Sequence, residues 1–135
     1  MSDSQPEKAG TFSSDVDEQT AYQNAVDLIL KKRDYTGAIT AFKQFQNDYP
    51  ESSFTPNSHY WLGQLYFAKK QDTEAAKSFA AVVAFKESNK RADALVKLGD
   101  IAKRNNNQQQ ATKYYQQVVA EYPNSASAKL AQEQL

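Results

Sequence analysis

The sequence predicts an all-α fold, a solenoid of three helix-turn-helix repeats followed by a C-terminal capping helix. An alanine followed four residues later by an aromatic residue recurs about every 36 residues, which indicates an internal repeat. No stretch shows the two-residue alternation typical of strands. The aligned alanine-aromatic pairs are Ala38 with Phe42, Ala75 with Phe79, and Ala111 with Tyr115.

Each repeated position has a physical reason. Gly63 and Gly99 lie upstream of the second and third pairs, and they lack a Cβ, so the two helices of a repeat can approach closely there. The alanines serve the same contact from the second helix, while the aromatic rings fill the space between neighbouring repeats. Pro50 and Pro123 follow the second helix of their repeats and prevent it from continuing.

This pattern predicts six helices, at about 19–32, 35–48, 56–70, 73–85, 91–104 and 108–121. Ser125 to Leu135 carries alanine and leucine at helical spacing and is expected to cover the end of the stack. Residues 1–18 are almost devoid of apolar side chains and are expected to form a flexible lead-in or linker. The domain would then span 19–135, with repeats at about 19–52, 56–89 and 92–125 and the capping helix at about 125–135.

Two features depart from a regular repeat. The middle copy has Phe85, Lys86 and Glu87 where the other copies have Tyr-Pro, so it lacks the proline and is shorter by one residue. The turns inside the repeats also lack the usual glycine. Asn106 tolerates a left-handed backbone at little cost, whereas Arg33 and Lys70 adopt it less readily.

Composition argues against catalysis and against a broad electrostatic partner. Sixteen Lys and Arg balance sixteen Asp and Glu, so no net field favours nucleic acid or an anionic membrane. The chain contains no cysteine, and the single histidine, His59, falls at a helix-packing position that suits a structural role. The longest apolar run, Phe79 to Phe85, is too short to span a bilayer. We therefore expect no enzyme activity, no cofactor and no metal site.

The first helices of such repeats line the concave side of the stack, and the residues beside their packing positions face the groove. Aromatic groups ringed by polar ones are typical of interaction hot spots, which favours a protein-binding groove. Tyr60 and Phe67 have a second interpretation, in which they pack between neighbouring repeats instead of contacting a guest. The predicted partner-binding residues are Asn57, Tyr60, Trp61, Gln64, Phe67, Val96 and Asp100.

Residues 19 to 125 resemble the tetratricopeptide repeat (TPR), whose unit of about 34 residues carries these residue types at fixed offsets. The resemblance implies a right-handed superhelix. Three stretches of the sequence carry a more specific pattern. They resemble the C-terminal TPR domain of the YbgF/CpoB family, the Tol-Pal accessory proteins that coordinate cell division. The stretches are Tyr49 to Phe67, Ala92 to Ile101 and Tyr122 to Ser125.

That resemblance implies the periplasm of a Gram-negative bacterium, a TolA-type partner and functional coupling to a bifunctional penicillin-binding protein. It also implies an upstream signal peptide and a trimerising coiled coil in the full protein. The run from Tyr60 to Gln64 is the part carried over as a binding surface. Two alternatives stay open at this stage, a TPR lipoprotein-type scaffold of outer-membrane protein assembly and a structural homo-oligomerisation module.

Overall fold

The computed structural model describes residues 12–135, with side chains from Val16 onward. Within this range the chain is helical and has no strand, which confirms the predicted fold class. The chain divides into two compact units, the first ending at Ser58 and the second beginning at His59. The helices are α1 (Phe12–Leu30), α2 (Tyr35–Asp48), α3 (Thr55–Ala68), α4 (Asp72–Val83), α5 (Arg91–Arg104), α6 (Gln108–Glu121) and α7 (Ala126–Glu133).

The start of α1 differs from the predicted one. The helix begins at Phe12 and not at about residue 19, so the second part of the predicted lead-in is helical. Asp17 and Glu18 lie in the second turn of α1. Glu18 also accepts a hydrogen bond from the Ser52 hydroxyl. The remainder of the predicted lead-in, residues 1–11, lies outside the described residues.

The first unit is held together by aromatic packing between α1, α2 and the loop before α3. The ring of Tyr22 stacks on Phe54 at 4.5 Å between centroids and meets Phe42 edge-on at 6.0 Å. Ala25 and Ala38 are fully buried beside them. Phe42 therefore packs on the first helix of its own repeat, and its predicted place between neighbouring repeats stays a prediction.

The second unit has two hydrophobic clusters that link successive helices. In one cluster, α4 packs against α5, with Phe79 and Leu98 among its members. In the other, α5 and α6 pack with α7 through Ala128 and Ala131, which confirms the capping helix. Ser125 is the N-cap of this last helix, and its hydroxyl accepts a hydrogen bond from the Ala128 N–H at 2.9 Å.

Gly63 and Gly99 recur at the same place in their repeats because the paired helices are in close contact there. A Cβ on Gly63 would lie 2.6 Å from a ring carbon of Phe79, and one on Gly99 would lie 2.5 Å from Tyr115. Neither position has room for a side chain. The predicted approach of the two helices at each glycine is confirmed.

All three turns inside the repeats use a left-handed residue. Arg33, Lys70 and Asn106 have φ angles of 53°, 60° and 63°. In each turn the N–H of the following residue returns to a carbonyl of the preceding helix, as from Gln71 to Tyr66 at 2.9 Å. This is the bond pattern of a glycine-ended helix, so Arg33 and Lys70 adopt the conformation that the sequence analysis considered unfavourable for them.

The turns between the repeats also share one design. The N–H of Ser52 bonds to the carbonyl of Tyr49 at 3.1 Å, and the N–H of Ser88 bonds to that of Phe85 at 2.9 Å. The middle copy therefore keeps this turn although Lys86 replaces the proline. The α4 helix of this copy is also shorter than α2, with 12 residues instead of 14.

Candidate protein-binding surface

The predicted binding residues lie on the first helices of the second and third repeats. Asn57 belongs to the first unit and lies half-buried near the start of α3, and the other six belong to the second unit. Trp61 and Gln64 are half-buried on α3. The surface described below is confined to the second unit.

Tyr60 packs between helices of neighbouring repeats. Its ring meets Phe79 edge-on with centroids 5.7 Å apart, and its hydroxyl donates a hydrogen bond to Asp93. The ammonium of Lys90 lies 5.3 Å from the ring centroid. Burial, and then the contact with the Asp93 carboxylate, raise the pKa of Tyr60 well above its usual value.

Phe67 lies on the same face of α3 and is covered by cations from α5. The guanidinium of Arg104 lies 3.9 Å from the ring centroid and the ammonium of Lys97 lies 5.5 Å from it. Arg104 is fixed in turn by Asp72, to which its Nε donates a hydrogen bond of 3.1 Å. Both aromatic residues thus contact the next repeat and are half-buried.

Val96 is not an open anchor. Only 4% of its surface is exposed, because it belongs to the cluster that α5 forms with α6 and α7. Helix geometry alone predicted Val96 on the groove, because the pattern of a single helix does not show which other helices cover a residue. We therefore leave Val96 out of the surface.

Asp100 is half-buried, and it is hydrogen-bonded within its own repeat. The hydroxyl of Tyr115 donates to it at 2.5 Å. Burial and this bond raise the pKa of Tyr115 above its usual value. Asp100 is thereby held in a fixed position one turn beyond Lys97 on α5.

These contacts define a surface that we call the α3–α5 face. It combines two aromatic rings and an amide on α3 with charged groups of α5 and its N-cap. The charged part of the face was not predicted from the sequence. A signal was present, because Lys90 and Lys97 have the same seven-residue spacing as Tyr60 and Phe67. The α3–α5 face consists of Tyr60, Gln64, Phe67, Lys90, Asp93 and Lys97.

His59 lies beside this region without a ligand-like environment. Its ring is half-buried with its centroid 6.3 Å from that of Phe85, and burial lowers its pKa. Across the described residues, no three His, Asp or Glu side chains are grouped as metal ligands would be. In the same part of the chain, no helix has the length and apolar character needed to cross a membrane.

Comparison with known families agrees with this architecture. Two tetratricopeptide repeat models match the chain, one over residues 24–92 and one over residues 93–125. The first match alone covers more than half of the sequence. The chain belongs to the tetratricopeptide repeat family.

Within that family the chain is similar to cell division coordinators named CpoB. It is 38% identical over 64 residues to the Escherichia coli K12 protein, a match that covers 47% of this chain and 22% of the relative. It is 42% identical over 52 residues to the Pseudomonas putida KT2440 protein, which covers 38% of this chain and 19% of that relative. The resemblance read from the sequence is confirmed, and the matches span about a fifth of the relatives' lengths.

Proposed function

We propose that this chain is the protein-binding domain of a Tol-Pal-associated cell division coordinator in the periplasm. In this role it holds a TolA-type protein and helps to coordinate outer-membrane constriction with septal peptidoglycan synthesis. A bifunctional penicillin-binding protein is the proposed second partner, and the full protein is proposed to be a homotrimer. The observation that carries the proposal is the similarity to the CpoB proteins.

The α3–α5 face supports a binding role for the second unit. Half-buried aromatic rings lie next to fixed charges there, and Gln64 adds an amide that can both donate and accept hydrogen bonds. Mixed aromatic and polar surfaces of this kind are typical of protein interfaces. These features suit a protein partner.

The decisive experiment measures binding of a soluble C-terminal region of TolA. Gln64→Glu keeps the size of the side chain and places a negative charge on the face, so it should weaken binding about tenfold or more. Gln116→Glu makes the same change at an exposed position of α6 and should bind like the original chain. Circular dichroism should show equal helicity in all three proteins.

Replacement of Tyr60 or Phe67 by alanine is a less clean test, because both rings are packed. The ring of Tyr60 meets Phe79 of its own repeat, and Arg104 of the next repeat lies over the ring of Phe67. Lost binding in these variants is informative only if their helicity and unfolding midpoint are unchanged. Absence of TolA binding by the unaltered chain would contradict the proposal. A mass that rises with concentration, without TolA binding, would instead favour the homo-oligomerisation module.

A further inference from the structure

Lys90 and Lys97 are positioned cations that form no ion pair with another described residue. Each is half-buried and lies over an aromatic ring of α3, Lys90 over Tyr60 at 5.3 Å and Lys97 over Phe67 at 5.5 Å. Within the described residues neither ammonium forms an ion pair, whereas Arg104 pairs with Asp72. The rings hold the two lysines in place, and their charges stay available.

The nearest carboxylates of α5 are engaged by tyrosine hydroxyls. Asp93 accepts the hydrogen bond of Tyr60, and Asp100 accepts that of Tyr115. These two carboxylates moderate the positive potential of the face. They are directed to the phenols, and neither lies within ion-pair distance of Lys90 or Lys97.

The spacing of the lysines selects the geometry of an acidic guest. Seven residues of helix separate Lys90 from Lys97, and this is a rise of about 10 Å at 1.5 Å per residue. In the extended polyproline II conformation, which has three residues per turn and a rise of about 3.1 Å per residue, side chains three residues apart lie on the same side of the chain and about 9 Å apart. An extended chain leaves its own N–H and C=O groups unpaired, and the amide of Gln64 on the adjacent helix can bond to them.

We infer that the α3–α5 face binds an extended protein segment with two acidic side chains three residues apart, one docking at Lys90 and one at Lys97. The inference deepens the proposed function and rests on it in taking this face as the binding surface. It adds the chemistry of the guest, which is acidic and read by charge. Because both ammonium groups are held over rings before binding, little side-chain freedom is lost when the guest docks.

The test uses two short flexible peptides that differ only in two positions. One carries two glutamates three residues apart in a Gly/Ser background, and the other carries glutamines there. We expect the glutamate peptide to bind at low salt, to shift NMR signals of α3 and α5, and to dissociate as salt rises. The glutamine peptide should bind about tenfold more weakly or not at all.

The matched variant is Lys90→Met with Lys97→Met, which keeps an apolar stem over each ring and removes the charge. It should lose about tenfold or more in affinity for the glutamate peptide. The control variant, Lys77→Met with Lys113→Met, removes two exposed lysines from α4 and α6 and should bind like the original chain. Equal affinity for the two peptides, or unchanged binding by the Lys90/Lys97 variant, would overturn the inference.

The same experiment separates this inference from the proposed function. Peptide binding that depends on Lys90 and Lys97, with no binding of TolA, would refute the TolA assignment and leave the acidic specificity standing. TolA binding with no preference for the glutamate peptide would support the TolA assignment and refute the acidic specificity. Failure of both would remove the α3–α5 face as a binding surface.

Discussion

The ring of Tyr115 lies against Gly99 so closely that a Cβ there would stand 2.5 Å from the ring carbon Cε1. The hydroxyl of the same tyrosine continues past the glycine and donates to Asp100. The second repeat has the same contact between Gly63 and Phe79, without the hydroxyl. One aromatic position thus sets the distance between the paired helices and, in the third repeat, also fixes a carboxylate beside the α3–α5 face.

Gly99→Ala should destabilise the domain, because the added methyl group overlaps the ring of Tyr115. Overpacking of this kind costs about 1–3 kcal/mol of unfolding free energy. The measurement is urea unfolding followed by circular dichroism. In a background with Tyr115→Leu the smaller side chain gives the methyl group room, so the same glycine substitution should cost less. Equal costs in the two backgrounds would show that the ring is not the obstacle.

Lys70→Gly should stabilise the domain. Lys70 has a φ of 60°, where a side chain is strained and glycine is not. After allowance for the greater freedom of glycine in the unfolded chain, we expect a gain of about 0.5–1 kcal/mol. Lys69→Gly is the matched control, since Lys69 is the neighbouring exposed residue and has no positive φ. A rise in thermal midpoint for the control as large as that for Lys70→Gly would contradict the explanation.

The helices were predictable wherever their signals are local. The bounds of α2 and α6 agree with those predicted, since Asp34 and Asn107 cap these helices with their own side chains. The beginning of α1 was not predictable, because its polar residues show no apolar period and Glu18 gains its contact from Ser52, far along the chain. The ends of α2 and α6 thus have local caps that the sequence shows, whereas the beginning of α1 has no such local signal.

The candidate site was predictable in position but not in its contacts. Helix geometry identified the α3 stripe, which depends only on the spacing of Tyr60, Gln64 and Phe67. The hydrogen bond from Tyr60 to Asp93 and the burial of Val96 depend on how successive repeats pack. These relations join residues that are distant in sequence, so no single-helix pattern contains them.

Arg91 is expected to contribute strongly to the stability of the second unit. It is 8% exposed, its Nε donates to the carbonyl of Val83 at 2.8 Å, and its Nη1 donates both to Glu121 at 2.5 Å and to the Tyr122 hydroxyl at 2.9 Å. Arg91→Ala removes all three bonds and should cost about 2 kcal/mol or more. Lys97→Ala, which removes a half-buried cation without a described ion pair, should cost less in the same urea titration.

The same contact predicts a dependence of stability on acid. The hydrogen bond from Arg91, and then that from Gln117, lower the pKa of Glu121 below its usual 4.5. The contribution of this carboxylate to stability is therefore complete above about pH 4.5, and it is lost as the pH falls through the lower folded-state pKa. Unfolding midpoints measured between neutral and acid pH should fall less steeply for Glu121→Gln than for the original chain.

Tyr60 and Tyr115 predict the opposite behaviour in alkali. Burial and a carboxylate partner raise the pKa of each phenol above its usual value of 10.0, so the folded state favours the neutral form. Their contribution to stability is complete below about pH 10 and declines as the pH rises toward the folded-state pKa. In an ultraviolet absorbance titration, Tyr60→Phe and Tyr115→Phe should each remove a phenol that ionises above pH 10. Tyr115→Phe imitates Phe79 of the second repeat and should make stability fall less steeply above pH 10, whereas the loss from either variant of a phenol that ionises at or below pH 10 would contradict the prediction.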